Sequence, residues 1–243
     1  MHLVRLAALI LFPFMCHAQS GAQLRLATLE YPPYSSEHLS GGGSLVELTR
    51  RAFAVEGHEV QIDFRPWARV RLALRNGTYQ GALALWPREI AEEGLQPTRT
   101  LFYSELGLFM RRDTSPLRFT ELSELRGRKL GIVRGYGYSS QFSDAGLELI
   151  EAVDDITNLR KLNARRFDMV LIEHTVGEYL IENDEQLRHS LVWQGQVLER
   201  IPLQIGFTPN KDGEPDWRSI FERGIGTLHR SGEYQQIIRR YQR

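Results

Sequence analysis

Apolar positions recur along this chain with two periods, and their alternation lays out the elements. Leu24 to Leu29, LRLATL, alternates as a strand does. Leu45, Leu48 and Ala52 then recur at helical spacing, with Gly57 closing the helix. Ser44 and Glu47 fit a capping box at its start. Val60, Ile62 and Phe64 alternate again. Trp67, Val70 and Leu74 mark the face of a second helix, which Asn76-Gly77 stops. Gly81 to Trp86 is a short apolar run, as expected of a strand covered on both faces, and Pro87 ends it. The order β-α-β-α-β is that of a mainly parallel sheet.

The second half repeats the scheme less regularly. Ile90 to Arg99 is polar and reads as a loop. Leu101 to Arg111 is a long strand-like run broken at Gly107, read as the first crossing into a second domain. Leu122 and Leu125 suggest a short helix, and Lys129 to Val133 a compact strand. Asp154 starts a helix with Ile156 and Leu159 inward, and Asp168 to Ile172 is another buried strand. Leu191–Trp193 and Val197–Ile201 read as short strands, and Leu203–Thr208 as a return strand into the first domain. Two amphipathic helices follow, on Trp217, Ile220, Phe221, Ile225 and Leu228, then on Tyr234, Ile237, Ile238 and Tyr241. Their stripes are packing surfaces.

The first residues change the picture of where the chain works. His2 and Arg5 precede an apolar run from Leu6 to Met15, followed by Cys16-His17-Ala18. This is the pattern of a secretory signal, 1–18, cut after Ala18, and it implies the periplasm. Met15 stands where a lipoprotein signal needs a small residue. The cut removes the sole cysteine, so the remaining chain forms no disulfide. It also removes one of 30 basic residues, against 30 acidic, which leaves the chain nearly neutral. With no basic stripe, nucleic acid is excluded as a partner. The histidines are scattered and give no metal spacing.

Candidate chemistry gathers at strand ends. Arg88 lies just past the strand that ends at Trp86, where open α/β sheets bind ligands, and an Arg there can grip a carboxylate with two parallel bonds. The competing reading is a solvated Arg88 and a core Trp86. Glu30-Tyr31-Pro32-Pro33-Tyr34 holds two tyrosines on a stiff turn, as a ligand platform or as a lid over the core. Arg134-Gly135-Tyr136-Gly137-Tyr138-Ser139-Ser140 can present free amides to an anion at a helix start, or can be a plain strand–helix turn. It approaches a dinucleotide fingerprint, with Asp154-Asp155 downstream, but Ser140 takes the third glycine position and no cofactor is expected. Glu173 closes the strand at Ile172, either as a ligand group or as an acid favoured by a helix dipole.

Taken in order, LRLATLEYPPY, PWARVRLALRNGTYQGALALW, FYSELGLFMRR, LRGRKLGIVRGYGYS and RRFDMVLIE resemble family-3 periplasmic solute-binding proteins, the amino-acid-binding components of ABC importers. The resemblance covers nearly all of the chain after the signal. It implies an α/β, two-lobed periplasmic-binding-protein (Venus-flytrap) fold with two interlobe crossings. Lobe 1 would be 24–110 and 205–243, and lobe 2 would be 111–204. The ligand site carried over is Glu30, Tyr31 and Trp67, then Gly137, Tyr138 and Ser139 facing a carboxylate, then Glu173 facing an ammonium group. Trp86 and Arg88 would complete it. The family's carboxylate-binding Arg lies further into its loop, after a Thr-Pro-Glu type sequence. WPREIAEEG departs from that, and Arg88 is the nearest arginine.

The resemblance implies a monomer without enzymatic activity that traps a small molecule, an amino acid or similar zwitterion, for the membrane component of an ABC importer. The same fold resembles periplasmic cyclohexadienyl dehydratases, which would make Glu173 a general acid. A signalling module that presents its ligand to a membrane sensor is the third alternative.

Overall fold

The structure, a computed structural model, describes residues 23–242. The signal assigned to 1–18 lies outside the described residues.

The first half of the chain forms β1 (Leu24–Thr28), α1 (Ser44–Ala54), β2 (Val60–Phe64), α2 (Trp67–Arg75), β3 (Gly81–Leu85), α3 (Pro87–Glu92) and β4 (Gln96–Pro97). The long β5 (Phe102–Arg111) follows. The second half forms β6 (Lys129–Val133), α4 (Gln141–Asp144), β7 (Glu148–Ala152), α5 (Asp155–Asn163), β8 (Met169–Glu173) and α6 (His174–Glu182). Then come β9 (Leu191–Phe207), α7 (Trp217–Ser231) and α8 (Glu233–Tyr241).

Strand order is β2-β1-β3-β9-β5-β8-β6-β7, with β4 on β9. Two parallel groups lie at the ends of this order. β1 runs parallel to β2 and β3, and β6 runs parallel to β7 and β8. β5 and β9 join them as an antiparallel pair whose register runs from Phe102↔Leu203 to Arg111↔Leu191. Each parallel group follows from its β-α-β sequence, because a parallel partner needs a crossover on one face.

Each group has its own apolar packing. Beside the first, Phe53 of α1 meets Phe207, Trp217 and Phe221 at ring separations of 6.2, 6.2 and 5.9 Å. α7 comes so close to α1 that a side chain at Gly224 would strike the Ala52 carbonyl. Beside the second, Phe109 and Trp193 pack at 5.1 Å, and Gly177 of α6 lets that helix sit on the Phe109 ring.

Several local expectations are corrected. The polar stretch after Trp86 is a helix, α3, because Pro87 at its first position starts a helix without needing its missing N–H. The expected short strands between Leu191 and Thr208 are one strand, β9. Gly107 does not break β5. The ladder shifts register there, and the Trp193 ring lies over the glycine, where a Cβ would collide. Glu148–Ala152 is an edge strand, β7, that the apolar pattern did not mark. The capping box at Ser44 does not form: Gly43 holds the cap position, and Glu47 instead takes the guanidinium of Arg240 at 2.5 Å and the Tyr241 hydroxyl at 2.7 Å.

Candidate functional site

Side chains from the carboxyl ends of β1, β3, β6 and β8 converge between the two parallel groups. The turn after β1 closes on itself, with the Tyr31 amide donating to the Ser35 carbonyl at 2.7 Å, and Tyr31 stacks on Tyr34 at 5.8 Å. Trp67 opens α2. After β3, α3 places Arg88 and Glu89 at successive positions, about 100° apart around the axis. Glu89 therefore turns inward and is 2% exposed, while the Arg88 side chain is 54% exposed.

Glu89 is held by three N–H groups. Its Oε2 accepts the Trp86 amide at 2.8 Å, and its Oε1 accepts the Trp67 indole N–H and the Gly137 amide, each at 2.9 Å. The last bond links the helix after β3 to the glycine turn after β6. Burial pushes the Glu89 carboxyl up to about 7, and these donors only partly oppose it. Arg71, whose charge also opposes it, is itself engaged by Glu93 at 2.6 Å, Glu92 at 2.8 Å and the Gly135 carbonyl at 2.9 Å.

Two further carboxylates are buried nearby. Glu173 accepts the Val176 amide at 2.7 Å as the cap of α6, and its other oxygen receives the Tyr34 hydroxyl at 3.4 Å. Asp155 accepts the Tyr136 hydroxyl at 2.9 Å through Oδ2, while its buried Oδ1 has no hydrogen-bond partner. Burial raises each of these two carboxyls to about 7 as well. The hydroxyls of Tyr31, Tyr136 and Tyr138 are raised by the same desolvation, with neighbouring carboxylates adding to it.

Aromatic rings fill the space between. Tyr136 stands edge-on to Tyr31 at 6.3 Å, Trp67 at 6.4 Å and Trp86 at 5.4 Å. These four rings and Glu89 wall a cavity of about 10 Å³. A larger hollow of about 370 Å³ borders Tyr34 and Thr175 and carries Glu178 and Glu182.

Not every residue expected in the site joins this cluster. Tyr31, Trp67, Trp86, Gly137 and Glu173 come together. The Arg88 guanidinium does not: it pairs with Glu92 at 2.9 Å and donates to the Tyr138 carbonyl at 2.6 Å, on the solvent side of α3. The Gly137–Ser139 turn is also engaged within the chain. Gly137 donates to Glu89, the Tyr138 hydroxyl accepts the Val133 amide at 3.1 Å, and the Ser139 hydroxyl donates to Glu199 at 2.9 Å. Glu30 accepts the Glu37 amide at 2.8 Å and lines a separate hollow of about 210 Å³ with Arg65, Trp67, Tyr136 and Asp154. The Trp86 indole donates to the Ser104 hydroxyl at 3.1 Å.

Glu89, Tyr136 and Asp155 were not singled out from the sequence as site residues. Pro87-Arg88-Glu89 could have indicated Glu89, since an acid in the first turn after a proline is a helix-start pattern. Among the described residues, no group of three His, Cys, Asp or Glu could hold a metal ion, and no helix is long and apolar enough to cross a membrane.

No protein-family model matches the chain, and no curated protein matches it. Solved structures do. A histidine kinase sensor domain with similarity to periplasmic binding proteins is 22% identical, covering 91% of this chain and 96% of its own, with a TM-score of 0.78. The GluR0 ligand-binding core from Nostoc punctiforme, in complex with L-glutamate, is 17% identical, covering 90% and 99%, with a TM-score of 0.74. The amino acid ABC transporter substrate-binding protein AbpA from Streptococcus pneumoniae, bound to L-arginine, is 17% identical, covering 90% and 94%, with a TM-score of 0.73. The chain therefore has the two-lobed periplasmic-binding-protein fold, with β5 and β9 as the strands shared between its two parallel groups.

Proposed function

We propose that this is an extracytoplasmic solute-binding protein that traps a small polar organic molecule between two lobes, 24–110 with 205–243 and 111–204. The observation that carries the reading is the convergence of Glu89, Asp155 and Glu173 with four aromatic rings, drawn from both sides of the β5–β9 pair. Three buried carboxylates without ion pairs of their own are costly for a structural core and suit a site completed by a ligand. Closure around the ligand is a shift in population between open and closed forms. Delivery to an ABC importer is the role this reading assigns, as an expectation from fold relatives such as the transporter protein from Streptococcus pneumoniae.

A second reading, catalysis with Glu173 as general acid, is favoured by one observation: its carboxyl is buried and raised to about 7. A thermal-shift screen of the ligand-stripped protein against amino acids, amines and small organic acids tests both. A ligand at 100 times its dissociation constant adds about 2.7 kcal/mol of stability. A dose-dependent shift with a compound that mass spectrometry recovers unchanged supports binding. Conversion of the compound supports the second reading. No shift across the panel overturns the binding reading.

A further inference from the structure

The fully buried charges at the cleft are of one sign, while Arg65, at an outer hollow of about 210 Å³ beside Trp67 and Tyr136, is exposed and donates to the Phe64 carbonyl. Glu89, Asp155 and Glu173 are at most 2% exposed. Among the described residues neither Asp155 nor Glu173 forms an ion pair: Asp155 is held by the Tyr136 hydroxyl, and Glu173 by the Tyr34 hydroxyl and the Val176 amide. Arg71 bears on Glu89, but Glu92 and Glu93 already hold it. The guanidinium of Arg88, half exposed at the rim, is already taken by Glu92 and the Tyr138 carbonyl. The Gly137 amide, the donor best placed for a ligand carboxylate, is occupied by the chain's own Glu89 carboxylate. No cation lines the cavity that Tyr31, Trp67, Trp86, Tyr136 and Glu89 wall, and a buried anion without a partner there is strongly disfavoured.

Two buried atoms lack hydrogen-bond partners here. Asp155 Oδ1 is an acceptor beside Tyr136, and the Tyr31 hydroxyl lies within the electrostatic reach of both Asp155 and Glu173. An N–H donor satisfies the first outright, and the second can accept one. Tyr31, Trp67, Trp86 and Tyr136 form the walls of the adjoining cavity with the Glu89 carboxylate among them. Aromatic faces around a carboxylate are a receptor for an ammonium or guanidinium group, since ring quadrupoles attract cations most strongly when water is excluded.

We propose that the ligand is a small organic cation without a carboxylate, an alkylamine or guanidine, held by Tyr31, Tyr136, Trp67 and Trp86 with Asp155 and Glu173 as counter-ions. This rests on the solute-binding reading and specifies its ligand class. Tyr136 belongs to the turn after β6, whereas Tyr31, Trp67 and Trp86 belong to the β1–β3 side. Parting the two sides widens the cavity from its present 10 Å³ and admits the cation.

The test compares amines with the amino acids from which they differ by a carboxylate: agmatine against arginine and cadaverine against lysine, by calorimetry on the ligand-stripped protein. At least one amine is expected to bind about tenfold or more tightly than its amino acid, a difference of about 1.4 kcal/mol. Asp155→Asn, which keeps the shape of the side chain, should weaken that amine about tenfold or more, whereas Arg88→Ala should leave it unchanged. If Asp155→Asn fails to fold, Glu173→Gln serves as the second variant. Tighter binding of either amino acid than of its amine overturns the cation assignment and leaves solute binding standing. No binding by any of the four probes also overturns it. A hit elsewhere in the wider thermal-shift panel then retains the binding reading, and an empty panel removes both.

Discussion

The Glu89 carboxylate accepts the Gly137 amide at 2.9 Å, joining residues 48 positions apart across the two sides of the cleft. Both Glu89 oxygens are used, and removing the side chain leaves three buried donors without acceptors. Glu89→Ala is therefore expected to cost about 2–5 kcal/mol in denaturant unfolding, since each stranded buried donor costs about 1–3 kcal/mol and neighbouring losses are not additive. Glu89→Gln should cost less, because it keeps one acceptor oxygen. Equal stability of Glu89→Ala and the parent would show that this carboxylate is not engaged as described.

The same contact predicts the behaviour of Gly137. A Cβ there would lie 2.7 Å from Glu89 Cγ and 3.3 Å from Arg88 Cβ. Gly137→Ala forces the turn after β6 away from α3. The expected outcome is a larger radius of gyration in small-angle scattering of the unliganded protein, with secondary structure retained. An unchanged radius would mean that the two sides stay together without this bond.

Arg88→Ala should change stability by less than about 1 kcal/mol, the range for exposed ion pairs. Its side chain is half exposed and its partner Glu92 keeps Arg71. Chemical denaturation checks this directly. A loss of several kcal/mol would place the Arg88–Tyr138 contact among the bonds that hold the cleft shut.

Acidification should stabilise the unliganded protein. Glu89, Asp155 and Glu173 each sit at about 7 in the fold, against about 4 for free carboxyls, so between those values the folded state binds more protons than the unfolded chain. Stability then falls as pH rises from about 5 to 7.5, and the penalty is complete above the folded values. The groups facing these acids, Tyr31, Tyr34, Tyr136 and Tyr138, stay neutral in that window because their hydroxyls are raised. Melting temperature should rise by several degrees from pH 7.5 to 5.5. A flat or opposite profile would contradict three protonating acids in the cleft.

Much of the scaffold was legible because its signals are periodic. β1, α2, β3, β6 and β8 lie where alternation, helical spacing and apolar runs mark them, and the motif order pointed to the fold that the solved structures share. The site was less legible, and α3 shows why. With residues after Trp86 taken as a loop, Arg88 and Glu89 are equivalent polar positions. A six-residue helix turns them about 100° apart, so the expected arginine points out and its neighbour points in. The burial of Asp155 was hidden in another way. Asp154 and Asp155 are alike in sequence, but Asp154 caps α5 by accepting the Thr157 amide, and that places Asp155 one step into the helix and inside the protein. Neither outcome has a periodic signature. The first depends on a short helix inside a polar stretch, and the second on which face of a correctly placed helix turns inward, since Asp155 is buried and Ile156 only half-buried.

The pairing of β5 with β9 has a mechanical consequence. The two segments that run between the halves are not separate tethers but neighbours in one ladder, bonded from Phe102↔Leu203 to Arg111↔Leu191. Neither can lengthen, swivel or kink by itself without breaking bonds to the other. On the two-lobe reading, opening is thereby reduced to the bending of a single ribbon, a motion with close to one degree of freedom. On the proposed solute-binding role, such a jaw travels along a fixed arc, and differences in solute size fall to the rings and carboxylates at its edge.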